Sequence, residues 1–285
     1  MNRDRFLVPA RIADEVFEDG MAVEISANRF DPEHSKPIGP CRCVVARPHL
    51  WDGTAVNVAS LDADVLDAST VSMHEDLYLA ERVGSEYLVA PPAPQQIRGR
   101  TVGDYPVLIS SLKRLAETAE SHGVKLLFPN APRCWAHLDH STRTEDVSLS
   151  KLDLYFGTFP KDWVQVAADV GEDRLGLCLD LAHAITVAHN ATHGPDRQAL
   201  LYAFMLYPDK APLVRWSDGL LREAHGRDLL RLALGDGDLP EDIHVRILRM
   251  PGYKTLALGT ADDVAASLAY LERLEKTLLR DGGPS

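Results

Sequence analysis

Eight short apolar runs, separated by helix-patterned or loop segments, recur along the 285-residue chain and restrict its fold more than any other feature. They read RFLVP at 5–9, MAVEIS at 21–26, RCVVAR at 42–47, EYLVAP at 86–91, VKLLFPN at 124–130, LGLCLD at 175–180, PLVRWS at 212–217 and YKTLALG at 253–259. Apolar strands alternating with helices are the mark of parallel sheet, because a parallel connection must cross back over the sheet. Eight such strands in a chain of this length close a barrel. The expected fold class is therefore α/β, a (β/α)8 TIM barrel in a single domain over residues 1–285. A long loop at about 131–160 should lie over the barrel mouth, with a short disordered tail at about 281–285. The alternative, an open doubly wound sheet, lacks its glycine-rich phosphate turn after the first strand.

The intervening helices are marked unevenly. Asp104 is a cap residue followed by Pro106, with Leu108, Leu112, Leu115 and Ala119 on one face and Gly123 beyond the end. Met73, Leu77, Ala80 and Val83, stopped by Gly84, predict a helix at 73–83. Weaker patterns predict helices at 10–19, around Trp163 to Val170 and around Leu200 to Phe204, and Val264 to Leu278 form a strongly amphipathic last helix. Pro91, Pro92 and Pro94 must end the fourth strand, since proline cannot continue a central ladder.

Composition excludes several classes of function. The formal net charge of −12, with no local run of Lys and Arg, opposes a phosphodiester backbone, so no nucleic-acid partner is expected. No apolar stretch is long enough to span a membrane and no secretory signal pattern is evident, so the expected location is the cytoplasm. Cys41, Cys43, Cys134 and Cys178 fit neither a disulfide framework nor a zinc knuckle and are read as buried thiols.

In parallel barrels, catalytic groups gather at the carboxyl ends of the strands. Strand six ends in Asp180, with His183 one turn later, a pair suited to acid/base work or to half of a metal site. The competing reading makes Asp180 a helix cap and His183 a satisfied wall residue. Other strand ends offer Arg47 and His49, Asn130, and Arg215 with Asp218 as substrate-binding groups. Arginines there suit a phosphate or carboxylate, although pairing with Asp180 and Asp218 in a structural network is equally open. Trp135 and Trp216 are candidates for an apolar or sugar-stacking wall, or for core packing.

Taken in order, VEIS at 23–26, VVARPH and VNVASLD within 44–62, LYLAERVGSEYLVAPP at 77–92, GVKLLFPNAP at 123–132, LGLCLDLAHA, VRWSD at 214–218 and LGDGDLP at 234–240 resemble the xylose isomerase-like TIM barrels. That family includes sugar isomerases, epimerases and the endonuclease IV type of AP endonuclease. The resemblance implies a divalent-metal site built from residues at most of the strand ends. This chain keeps the D-x-x-H pair as Asp180 and His183. It has Ala46 and Ala90 where histidines are expected, Pro129 and Gly259 where glutamates are expected, and Arg215-Trp216-Ser217-Asp218 for an H-x-N-D-like run. Arg231 stands four residues before Gly235, where a D-x-H is expected.

Two ligands do not hold a divalent ion against water, so zinc, manganese or magnesium is disfavoured unless loop histidines 137, 140, 189 and 193 rebuild a site. The expected function is binding of a small polar or anionic, sugar-like ligand. Any activity would be isomerisation or epimerisation of a sugar or sugar phosphate, with Asp180 and His183 as the acid/base pair. The rival is a non-catalytic pseudoenzyme or scaffold, as a homo-oligomer or beside an active paralogue. AP endonuclease activity is opposed by both the missing ligands and the acidic charge.

Overall fold

The computed structural model describes residues 3–13, 21–30, 39–133, 139, 141–142, 146–148, 152–189, 194–222 and 228–280. The barrel strands are β1 (Phe6–Pro9), β2 (Ala22–Ser26), β3 (Cys41–Val45), β4 (Tyr87–Val89), β7 (Lys125–Pro129), β9 (Leu175–Asp180), β10 (Leu213–Trp216) and β11 (Tyr253–Leu256). They pair in parallel in that order, and β11 returns to β1, closing the barrel. These are the eight runs of the sequence, and the expected (β/α)8 architecture is what the chain adopts.

Around them pack α1 (Ala63–Arg82), α2 (Tyr105–Ser121), α3 (Pro160–Val170), α4 (Leu181–Ala188), α5 (Gly194–Phe204), α6 (Glu241–Arg249) and α7 (Ala261–Arg280). Asp104 caps α2 as its spacing implies, accepting from the Val107 amide at 3.1 Å. The first half of α1 is absent from the 73–83 pattern. There the helix turns Ser69 and Ser72 to the core, so apolar periodicity cannot register it, and the Asp62 side chain caps a start ten residues earlier than predicted. Residues 10–12 form a short 3-10 turn followed by Ala13 in helical conformation, and 14–19 of the helix expected at 10–19 lie outside the described residues.

The region after strand five is not wholly irregular. β8 (Leu154–Tyr155) pairs antiparallel with β5 (Pro94–Ile97), which also pairs with β6 (Arg100–Thr101), making a small side sheet beside the barrel. Pro94 opens β5, a position where a missing N–H is tolerated. Trp135, His137, His140 and His193 lie outside the described residues.

Side chains facing the barrel axis form layers. Leu7, Ala22, Cys43, Val89, Leu127, Cys178 and Leu213 make an apolar plug across the lower barrel. One step up, register pairs Leu213 with Cys178 and Arg215 with Asp180, so the next inward layer at the carboxyl ends is charged. Burial raises the Cys43 and Cys178 thiols well above their usual range, as expected for packing residues. Among the described residues no helix is long and apolar enough to cross a membrane.

Candidate functional site

The charged layer centres on Asp180, the last residue of β9 and the cap of α4, with no exposed surface. Its Oδ2 accepts from Nη1 of Arg215 at 2.8 Å and from Nη2 of Arg231 at 2.6 Å. Arg215 also reaches across the barrel axis to β2, where its Nε and Nη2 each lie 3.1 Å from one oxygen of Glu24. Glu24 is itself only 5% exposed. Two buried carboxylates and two guanidiniums thus balance within one layer, as burial of charge requires. Burial alone would raise the Asp180 carboxyl, but Arg231, then His183 and Arg215, outweigh it and hold the group well below the usual carboxylate range. For Arg215 burial opposes the charge, and Glu24 and Asp180 more than restore it.

Asn130, just past β7, clasps the end of β9. Its Oδ1 accepts from the Asp180 amide at 2.6 Å, and its Nδ2 donates to the Asp180 carbonyl at 3.0 Å. The Asn130 carbonyl lies 2.7 Å from Nδ1 of His183. A carbonyl only accepts, so Nδ1 carries the proton and Nε2 of the neutral ring keeps its lone pair. Nε2 stands 3.8 Å from Oδ2 of Asp180. Burial lowers the His183 pKa despite the opposing pull of Asp180, which keeps the imidazole neutral near pH 7.

Asp218 holds the second arginine in place. Its backbone bridges to Leu232, the neighbour of Arg231. Its carboxylate accepts from the amides of Gly219 at 2.8 Å and Gly235 at 2.9 Å, and lies 3.4 Å from Nε2 of His244. A Cβ on Gly237 would fall 2.3 Å from Oδ1 of Asp218, so the loop approaches this closely only with glycine there. VRWSD at 214–218 and LGDGDLP at 234–240 are two halves of one support for Arg231, which lies between them.

Above the layer opens a cavity of about 420 Å³. Asp180, His183 and Arg215 border it below, and Ala46, Ala90, Pro91, Pro92, Pro129 and Pro132 give it an apolar wall. A small, mostly apolar cleft with a few convergent polar groups has the form of a small-molecule site.

Of the groups singled out in the sequence, the structure brings Asp180, His183 and Arg215 together, with His49 on the rim. Asn130 is fully buried and its amide is engaged by the Asp180 backbone, making it a positioning residue. Arg47 turns away to α1, with Nε 2.8 Å and Nη2 2.7 Å from Oδ1 of Asp76 and Nη1 3.0 Å from Glu75. Asp218 faces backbone amides, and His189 is buried with Nε2 2.8 Å from the Leu220 carbonyl. Trp216 is fully buried and donates to Nδ1 of His244 at 3.2 Å, a packing role.

Glu24 and Arg231 were not singled out as site residues. The one available signal for Glu24 was a carboxylate at alternate spacing with Ala22 inside a buried strand. Arg231 arrives on a loop, for which no periodicity exists.

The chain belongs to the xylose isomerase-like TIM barrel family, whose model matches residues 40–274. No curated protein sequence matches it. Among solved structures it is similar to a D-tagatose 3-epimerase-like protein, with a TM-score of 0.67 and 17% identity over 97% of this chain and 99% of that one. L-ribulose 3-epimerase gives 0.60 and 14%, over 91% and 86% of the two chains. The IolI protein, solved with a bound zinc atom, gives 0.60 and 15%, over 95% and 97%. At these identities the likeness establishes the fold alone.

Two outcomes are expected from this geometry. Arg215→Met leaves Glu24 buried and unpaired, and should cost about 3–5 kcal/mol in urea unfolding; a loss no larger than that of a surface variant would contradict the pairing. His183, with its folded pKa below the ordinary 6.5, should make stability fall as pH drops from 6.5 toward the folded value, because the unfolded chain takes up the proton first. His183→Gln should flatten that part of the urea-midpoint curve, and an unchanged curve would show the ring is not buried neutral.

Proposed function

We propose that the chain is a metal-independent member of its family, with a mouth that takes a small, polar, sugar-like molecule and isomerises or epimerises it by proton transfer. The observation that carries this reading is the pair of guanidiniums on the Asp180 carboxylate. A divalent ion there would have to share an oxygen already bonded to two cations, in a low-dielectric layer where like charges repel strongly. The residues present do not fit such an ion. Both oxygens of Glu24 face Arg215, and Ala46, Ala90 and Pro129 present no donor side chains to the cavity.

Within this reading His183 is the base. Its neutral Nε2 takes the proton from the carbon beside a substrate carbonyl, and the imidazolium returns it to the neighbouring carbon in an isomerisation. In an epimerisation, water admitted at the mouth protonates the opposite face and the imidazolium gives its proton up to solvent. Asp180 is a poor base, since the arginines hold it ionised, but its charge stabilises the imidazolium that forms. Arg215 borders the cavity and retains N–H groups beyond its three hydrogen bonds, which suits it to an oxyanion developing on the substrate.

Incubation with a panel of ketopentoses and ketohexoses in D2O tests this directly. Deuterium should enter the carbon next to the carbonyl, EDTA should leave the rate unchanged, and His183→Gln should slow it about 100-fold or more. Exchange that requires added manganese or zinc would contradict the reading. Binding of a sugar without any exchange would favour the non-catalytic alternative.

A further inference from the structure

Of the arginines that line the mouth or its rim or sit in the charged layer below, Arg47, Arg215 and Arg231 are already neutralised. Arg215 is held by Glu24 and Asp180, Arg231 by Asp180, and Arg47 by Asp76 and Glu75. Among the described residues Arg29 has no carboxylate partner. It borders both the mouth cavity and an adjoining rim groove of about 680 Å³, and Asn28 and His49 border the same two spaces.

These three residues form a shared wall on an ordered backbone. The Arg29 amide bonds to the Ser26 carbonyl at 3.0 Å, and the Ala27 amide is tied to Val45 of β3 at 2.9 Å. His49 bridges to Ala55 at the base of a tight hairpin, closed by Leu50 to Thr54 at 2.8 Å and by Gly53 to Leu50 at 3.0 Å. Gly53 adopts φ +85°, the left-handed region this turn needs. The hairpin tip holds out Trp51, 94% exposed, with the Arg47 guanidinium 5.7 Å from its ring centroid. A large aromatic left in water on the lining of the rim groove offers a face to a ligand's carbon skeleton.

We propose that the rim groove is an anion subsite, in which Arg29, His49 and Asn28 take the phosphate or carboxylate of a sugar-like molecule whose hydroxylated part occupies the mouth. The inference rests on the mouth being a ligand site and adds the charge and orientation of that ligand. A guanidinium grips either anion through paired N–H groups, and imidazole and amide N–H groups complete the contact. Because the barrel's charged layer is internally balanced, Arg29 is, among the described arginines that line the two spaces, the one without a carboxylate partner to compete with a ligand's charge. The groups on the strand ends then read the hydroxyls and the carbonyl.

Calorimetric titration of the full chain at fixed ionic strength with D-glucose, D-glucose 6-phosphate, D-glucuronate and inorganic phosphate tests it. At least one anionic sugar should bind about tenfold or more tightly than glucose. Which one does so distinguishes a phosphate from a carboxylate ligand. Arg29→Ala should remove that advantage, Arg29→Lys should keep much of it, and Arg29→Glu should reverse it. Arg29 is exposed, so these variants should fold normally.

An anion advantage that is absent in the wild type, or unchanged in Arg29→Ala, would overturn the subsite. Glucose binding that depends on Arg215 with no anion advantage would leave the mouth reading standing and remove only the rim. Phosphate binding through Arg29 with no response to any sugar would keep the anion site and sink the mouth reading.

Discussion

A carboxylate with no exposed surface must be neutralised where it sits, because an isolated buried charge costs several kcal/mol. Asp180 is such a group, fixed by being both the last residue of β9 and the cap of α4. Its neutralisation recruits Arg215 from the adjacent strand, and Arg215 in turn requires Glu24 on the far side of the barrel. The layer therefore ties together strands that backbone pairing leaves apart. It also sits above an apolar plug, which excludes water from below and strengthens each of these contacts.

The arrangement of the loops follows from the same need. Arg231 must be delivered to Asp180 from a segment with no regular structure of its own, and the Asp218 carboxylate, the bridge to Leu232 and the close-packed Gly235 and Gly237 supply the rigidity. Asn130 does the equivalent work for His183, fixing which nitrogen carries the proton. Residues that do not touch the cavity's contents thus fix the charged groups that border it, as a preorganised polar site requires.

The barrel was legible because its strands are apolar, evenly spaced and bounded by clear breakers, and Asp180 and His183 were legible because one carboxylate interrupts a buried run. Arg47 and Arg215 look alike in sequence, each near the end of a strand. Arg215 lies inside β10, two residues after the axial Leu213, and the pleat turns it to the axis; Arg47 lies two residues beyond the end of β3, where the pleat no longer holds, and it turns outward to a helix carboxylate. Asp218 carries no mark distinguishing a substrate contact from a buried acceptor of backbone amides. Glu24 and Arg231 were missed for a similar reason: their partners lie 191 and 51 residues away, and no local pattern records a pairing across a barrel. The side sheet of β5, β6 and β8 was invisible because β6 and β8, with two residues each, carry no periodicity, and the four-residue β5 is polar apart from its ends.

Arginine in place of a metal ion at Asp180 is tested most directly by elemental analysis of the protein, purified without chelators and dialysed against metal-free buffer. Zinc, manganese and magnesium are each expected far below one equivalent per chain, with Arg215 and Arg231 supplying the positive charge. A stoichiometric divalent ion that survives dialysis and disappears in Asp180→Asn would contradict the arrangement.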